Sequence, residues 1–159
     1  MKLLLDTTYL LSAIGISIKN HPNESPIKLI QKGHQISMSN ISIFELSAKG
    51  AKHVAAGSLS AERVTRGIRA ILYNETIKTI PIHESTILHT AFKLRKLLSD
   101  FIDCLVLSSA INQCDALITE DNDIQNLKKN REFKELLKTT NPKFKLQTLN
   151  QILYPSNSQ

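Results

Sequence analysis

Four acidic side chains stand where a carboxylate is costly: Asp6, Glu45, Asp103 and Asp121. Asp6 follows the apolar run Leu3-Leu4-Leu5, and Glu45 lies inside Ile41-Ser42-Ile43-Phe44-Glu45-Leu46. Asp103 opens the apolar stretch Cys104-Leu105-Val106-Leu107, and Asp121 follows Ala116-Leu117-Ile118-Thr119. A carboxylate beside a core strand or helix is unfavourable unless something compensates it. Four of them, drawn from distant parts of the chain, can compensate one another by sharing a hard divalent cation. Such a centre implies a metal-dependent reaction on an anionic substrate.

Each acid has a structural reading as well. Asp6 suits the N-cap of a helix starting at Thr7, and Asp121 suits the cap of a turn over 122–126. Asp100 and Asp103 look like the cap and third position of a helix start. Glu45 is different. It falls beside Ile41, Phe44 and Ala48, the helix face expected to meet the core, and it lies too far inside the helix to cap it. Glu is almost never buried without a partner. The set therefore says more than any member.

The elements that must position these acids follow from the local pattern. Lys2–Leu5 reads as a short buried strand, followed by a helix over Thr7–Ile14 and a loop over 15–26 rich in Gly, Asn and Pro. A short helix over Ser25–Lys32 ends at Gly33. Gln35–Met38 is a second strand, and Ser39-Asn40 begins a helix running to about Lys49, with Gly50 as its stop. Ser60-Ala61-Glu62 starts a helix that reaches Tyr73. Thr76–Ile80 is a third strand, stopped by Pro81, and 83–98 forms an amphipathic helix with Ile87, Leu88, Ala91, Leu94, Leu97 and Leu98 on its apolar side. Residues 100–114 are apolar nearly all round, the mark of a buried helix. Asp115–Thr119 is a fourth strand, Glu132–Lys138 a helix, Lys145–Gln147 an edge strand and Leu149–Leu153 a helical turn. Strands alternating with helices imply a parallel sheet covered on both faces, whose sites lie at the carboxyl ends of its strands. Asp6 and Asp121 stand at two of those ends.

Composition narrows the chemistry. The chain has 159 residues, 42% of them hydrophobic and 21% charged, as in an ordinary globular protein. Its length suits one domain over 1–154, with a frayed tail at 155–159. A net charge of +6 favours a polyanionic partner, nucleic acid first. The charge is uneven: residues 115–123 hold four acids and no base, and 128–145 hold seven bases against two acids. Cys104 and Cys114 lie within one expected helix, too far apart to bridge, which fits a reducing cytoplasm. There is no apolar run long enough to span a membrane. The five His form neither HxxxH nor HExxH, and no phosphate-binding GxxxxGK[ST] loop occurs. Ser108-Ser109 sits in a buried helix rather than on a strand-to-helix elbow, which argues against a serine nucleophile. Arg63, Arg66 and Arg69 recur every three residues on one helix and, with Lys49 and Lys52, are placed to contact phosphates or simply to face solvent.

The stretches Leu3-Leu4-Leu5-Asp6-Thr7-Thr8, Ser39-Asn40-Ile41-Ser42-Ile43-Phe44-Glu45-Leu46, Asp100 to Ala110 and Leu117-Ile118-Thr119-Glu120-Asp121 resemble, in order and spacing, the motif blocks of PIN-domain ribonucleases. The resemblance runs from residue 2 to about 153 and is nearest to toxin halves of VapBC toxin–antitoxin pairs and to small archaeal or bacterial PIN proteins. It implies a three-layer α/β/α fold around a parallel sheet of four to five strands. It implies that Asp6, Glu45 and Asp103 bind metal, Mg²⁺ or Mn²⁺, with Asp121 as a more variable fourth acid. Thr7 and Thr119 match the polar residues beside the first and fourth acids, and Asp100 reads as a cap that also supports the site. The implied activity is endoribonuclease cleavage by a metal-activated water, with an antitoxin partner and a homodimer expected. The rival readings are aspartyl phosphotransfer, which wants a second acid where Thr8 stands, and a catalytically silent PIN fold serving as an RNA-binding or assembly module.

Overall fold

The computed structural model describes residues 1–18 and 25–155. Residues 19–24 of the expected loop and 156–159 of the expected tail lie outside them. In chain order the elements are β1 (Lys2–Leu5), a 3-10 helix (Thr7–Ile14), α1 (Ser25–Gln31), β2 (Gln35–Ser39), α2 (Ile41–Ala55), α3 (Ala61–Leu72), β3 (Ile77–Ile80), α4 (Ser85–Leu94) and α5 (Phe101–Gln113). There follow β4 (Ala116–Ile118), α6 (Asn122–Asn126), a 3-10 turn (Leu127–Lys129), α7 (Arg131–Thr140), β5 (Lys145–Gln147) and α8 (Leu149–Leu153).

The five strands form one parallel sheet in the order β3-β2-β1-β4-β5. β1 is central because its Leu3, Leu4 and Leu5 are buried on both faces, as a middle strand requires. Strand alternation divides the core. Leu4, Leu117 and Leu146 face α4 and α5, and Leu3, Leu5, Ile36, Ala116 and Ile118 face the opposite layer with Leu29, Leu149 and Ile152. A further cluster of Leu10, Ile14, Met38, Leu46, Val64 and Ile71 joins the 3-10 helix, α2 and α3 to the sheet. Helices thus cover both faces in a three-layer α/β/α arrangement, as the alternation of elements implied. Among the described residues no helix is long and apolar enough to cross a membrane.

Several local expectations change. The first helix winds as a 3-10 helix rather than an α-helix, and it ends at Gly15 in the left-handed conformation (φ 96°). α2 does not stop at Gly50. It runs on to Ala55, and Gly50 lies buried against α3, where an added Cβ would come 2.5 Å from Val64 Cγ1. What looked like a terminator is a point of close helix approach. The amphipathic helix expected over 83–98 is shorter, Ser85–Leu94, although Ile87, Ala91, Leu94 and Leu98 are buried as expected. The polar stretch after residue 120 contains α6 in addition to the expected helix.

Gly67 brings α3 still closer to its neighbour. A Cβ there would lie 2.2 Å from the backbone oxygen of Ala13. Backbone cannot rotate away as a side chain can, so Gly67→Ala forces α3 off the 3-10 helix. The expected cost is about 3 kcal/mol, typical of overpacking, measured as a fall in the urea midpoint at unchanged slope. A variant as stable as the parent would show that this contact does not set the helix spacing.

Candidate metal centre

The carboxyl edge of the sheet gathers the four acids. The Asp6 N–H donates to the Ile118 carbonyl (3.0 Å) and the Thr119 N–H to the Gln147 carbonyl (3.0 Å), extending the ladder by one rung beyond β1 and β4. These rungs set Asp6 and Thr119 side by side. The Thr119 hydroxyl donates to Asp6 Oδ2 (2.6 Å) and accepts from the Asp121 N–H (3.1 Å), so one buried hydroxyl connects two of the acids. Asp121 Oδ1 accepts from the Ile124 N–H (2.9 Å) and caps α6. Asp6 occupies an N-cap position too, yet its side chain makes no capping bond to the helix that follows. The cap reading therefore holds for Asp121 and fails for Asp6.

Glu45 arrives on α2. The face expected to be buried is not: Phe44 is 63% exposed and Ala48 is exposed, whereas Ser42, Leu46 and Gly50 are buried. Glu45 sits at the margin, half-buried, with Lys49 one turn on at 2.8 Å. Lys49, expected to meet phosphate, is engaged with an acid of the site instead. Thr7 turns inward. Its hydroxyl donates to Ser42 Oγ (3.0 Å), both groups fully buried, and ties the first turn of α2 to the segment after Asp6. Ser42 carried no signal in the sequence beyond its place three residues before Glu45. A second buried pair, Ser39 Oγ and Ser109 Oγ at 3.1 Å, joins the end of β2 to α5.

Asp103 lies in the first turn of α5, whose N-cap Asp100 accepts from the Ile102 N–H (2.7 Å) as expected of a cap. Asp103 is half-buried, and among the described residues nothing donates a hydrogen bond or ion pair to its carboxylate. Burial pushes its pKa up to about 7, and Asp100, Asp121, Asp6 and Glu45 push in the same direction. Burial likewise raises the Asp6 carboxyl, opposed by the Thr119 hydroxyl and reinforced by Glu45 and Asp121. Asp6, Glu45 and Asp121 thus all act on Asp103, and Glu45 and Asp121 act on Asp6, although the four come from separate segments.

As they stand, no three carboxylates among the described residues share one coordination sphere. The internal bonds explain this: Thr119 holds Asp6, Lys49 holds Glu45 and the α6 amide holds Asp121. The donor set is all carboxylate oxygen, the chemistry of a hard cation, and Asp103 is a desolvated carboxyl with no partner among the described residues. On donor type and electrostatics the residues fit Mg²⁺ or Mn²⁺. Glu45, the longest of these side chains, is the one held by an ammonium group, that of Lys49.

The expected phosphate contacts divide. Arg63 donates from Nη1 to the Ala13 carbonyl (2.6 Å), half-buried, and pins α3 to the 3-10 helix. Arg66 and Arg69 are exposed and border a shallow concavity of about 410 Å³, with Arg69 over the Tyr73 ring at 5.9 Å.

A family model for the PIN domain matches residues 3–130. The chain belongs to the PIN domain family. Among curated proteins no relative matches. Among solved structures, the VapBC2 complex of Rickettsia felis, bound to a DNA fragment from its promoter, contains a chain with the same fold: TM-score 0.57 and 20% identity, covering 93% of this chain and 98% of that one. PIN domains are generally nucleases and commonly use divalent metal.

The raised pKa of Asp103 has a stability consequence. An unfolded chain ionises this carboxyl near its ordinary value of 3.8, whereas the folded chain keeps the proton up to about pH 7. Between those values the folded state binds more protons, so this group's contribution falls as pH rises through the window and levels off above 7. Asp6 acts in the same direction. In EDTA, the melting temperature of the parent should exceed its pH 8 value at pH 5.5, and Asp103→Asn should remove part of that difference while equalling or exceeding the parent at pH 8. Unfolding of the variant would overturn this reading and give Asp103 a structural role in α5.

Proposed function

We propose that this PIN domain is a Mg²⁺- or Mn²⁺-dependent endoribonuclease, acting in the cytoplasm as the toxin of a type II toxin–antitoxin pair. The observation that carries the reading is the meeting of four carboxylates from separate segments at one sheet edge, with Asp103 desolvated and unpartnered. Asp6, Glu45 and Asp103 would hold the metal, with Asp121 as the fourth acid. Bound there, a divalent cation lowers the pKa of water, polarises the scissile phosphate and stabilises the leaving oxygen.

The chain's own groups supply position. Thr119 fixes one oxygen of Asp6. The α6 amide does the same for Asp121. The Thr7–Ser42 bond fixes the turn of α2 from which Glu45 projects. Lys49, paired with Glu45, would be free to meet a phosphate if Glu45 held a cation, and the exposed Arg66 and Arg69 would offer further phosphate contacts. The net charge of +6 supports a polyanionic substrate.

An open nuclease site calls for an inhibitor. The Rickettsia felis structure is of a VapBC2 complex, and by that likeness we assign this chain a cognate antitoxin as partner; the homodimer is carried only by the motif resemblance. The surface beside Glu45 and α3 is the candidate contact, with a basic side chain of the antitoxin reaching the acids in place of a cation.

Cleavage by water leaves a 5′-phosphate and a 3′-hydroxyl and does not require the 2′-hydroxyl. Activity should vanish in EDTA and return with Mg²⁺ or Mn²⁺, which should also raise the melting temperature by binding only the folded state. Asp6→Asn or Asp103→Asn should remove most activity. Thr119→Val should cost on the order of tenfold, the usual effect of losing a group that orients a ligand. End-group analysis of the cut RNA decides the matter. A 2′,3′-cyclic phosphate formed equally well in EDTA would make the 2′-hydroxyl the nucleophile and overturn this reading. Metal-insensitive RNA binding without cleavage would leave a silent PIN module.

A further inference from the structure

The sheet ends at β5, and among the described residues no other strand pairs with its outer side. The Lys145 N–H donates to the Asp115 carbonyl and the Gln147 carbonyl accepts from the Thr119 N–H, each at 3.0 Å. Both ends of β5 therefore turn their main-chain groups toward β4. Successive residues of a ladder face opposite edges, so the N–H and C=O of Leu146 point away from the sheet.

A hollow opens on each face of this edge. One, about 690 Å³, lies over Phe133, Leu137 and Phe144 on the α7 side, with Lys128 and Lys134 at its border. The other, about 550 Å³, lies on the opposite face beside Lys32, His34 and Ile152. Lys145, Gln147, Gln151 and Pro155 border both. Among the described residues neither hollow has an acid in its lining, and together they present Lys32, Lys128, Lys134 and Lys145.

We propose that the β5 edge docks an extended acidic segment of a partner protein as a sixth strand. Side chains of an added strand alternate between faces, and this edge offers a hollow on each. An apolar side chain fits the side floored by Phe133, Leu137 and Phe144, and carboxylates meet the lysines around it. Lysine on an edge strand ordinarily deters unwanted pairing. That role accounts for Lys145 alone but not for cavities on both sides, and the same charge attracts an acidic strand. Nucleic acid fits less well. Phe133 and Phe144 are 2% and 6% exposed, so neither opens a ring face on which a base could stack. None of these residues belongs to the acid cluster, so the inference stands apart from the nuclease reading.

Fluorescence anisotropy on the full chain tests it, with a labelled peptide of alternating Glu and Leu. Three comparison probes are its Lys-for-Glu counterpart, the same peptide N-methylated at alternate amides, and an oligouridylate. The Glu–Leu peptide should bind. Its affinity should fall about tenfold or more with Lys128→Glu/Lys134→Glu, and similarly on N-methylation, since one change removes charge pairing and the other main-chain pairing. Both lysines are exposed, and the N-methyl arm uses the unaltered protein, so misfolding cannot imitate the result. The proposal is overturned if the Glu–Leu peptide does not bind, if the Lys–Leu peptide binds as well, or if N-methylation has no effect. It is also overturned if oligouridylate binds and is the probe that the double variant releases.

Discussion

Like charges brought together in a poorly hydrated place repel, and this molecule is built around tolerating that repulsion at one edge of its sheet. A parallel sheet delivers every carboxyl end to the same side, so acids scattered over most of the chain's length meet there without any local sequence signal of proximity. The surrounding bonds are those needed to hold them: a threonine hydroxyl on Asp6, a backbone amide on Asp121, an ammonium on Glu45. Asp103 alone has no such support among the described residues, and burial together with the neighbouring acids raises its pKa. The apolar packing of α5 keeps Asp103 from escaping, because residues 104–111 are buried and the helix cannot turn to face it outward.

Much of this was legible in the chain. Strand alternation and apolar runs located all five strands, and the placing of Asp6 and Asp121 after apolar runs marked the sheet edge. Caps at Ser60 and Asp100 follow directly from residue type. What escaped has a common cause: it depends on contacts between distant segments. Gly50 reads as a stop by propensity but is a contact with Val64, and nothing near residue 50 announces a partner fourteen residues on. Phe44 reads as core and lies exposed, because the buried side of α2 is set by Leu46 and Gly50 meeting α3. The order β3-β2-β1-β4-β5 is likewise invisible to local pattern, since any buried strand looks alike in isolation.

The site residues show the same division. Chemistry was readable from type, but each group's present commitments were not. Lys49 and Arg63 looked like free bases on helix faces. One neutralises Glu45 and the other fastens two helices together. Thr7 and Thr119 both sit beside acids in sequence, yet Thr119 touches a carboxylate and Thr7 turns away to a serine. Which way a hydroxyl points is decided by the strand or helix it belongs to, and only the assembled fold supplies that.

The close seating of α3 has one more implication. Gly67 stands between Arg66 and Arg69 in sequence and meets the backbone at Ala13, so the inner side of this helix is fitted to main chain while its outer side carries exposed cations. Such a helix is a modular fascia on a rigid frame. Its outward residues are free to drift under selection for a different contact, and the frame behind them, including the spacing to α2 and Glu45, does not register the change.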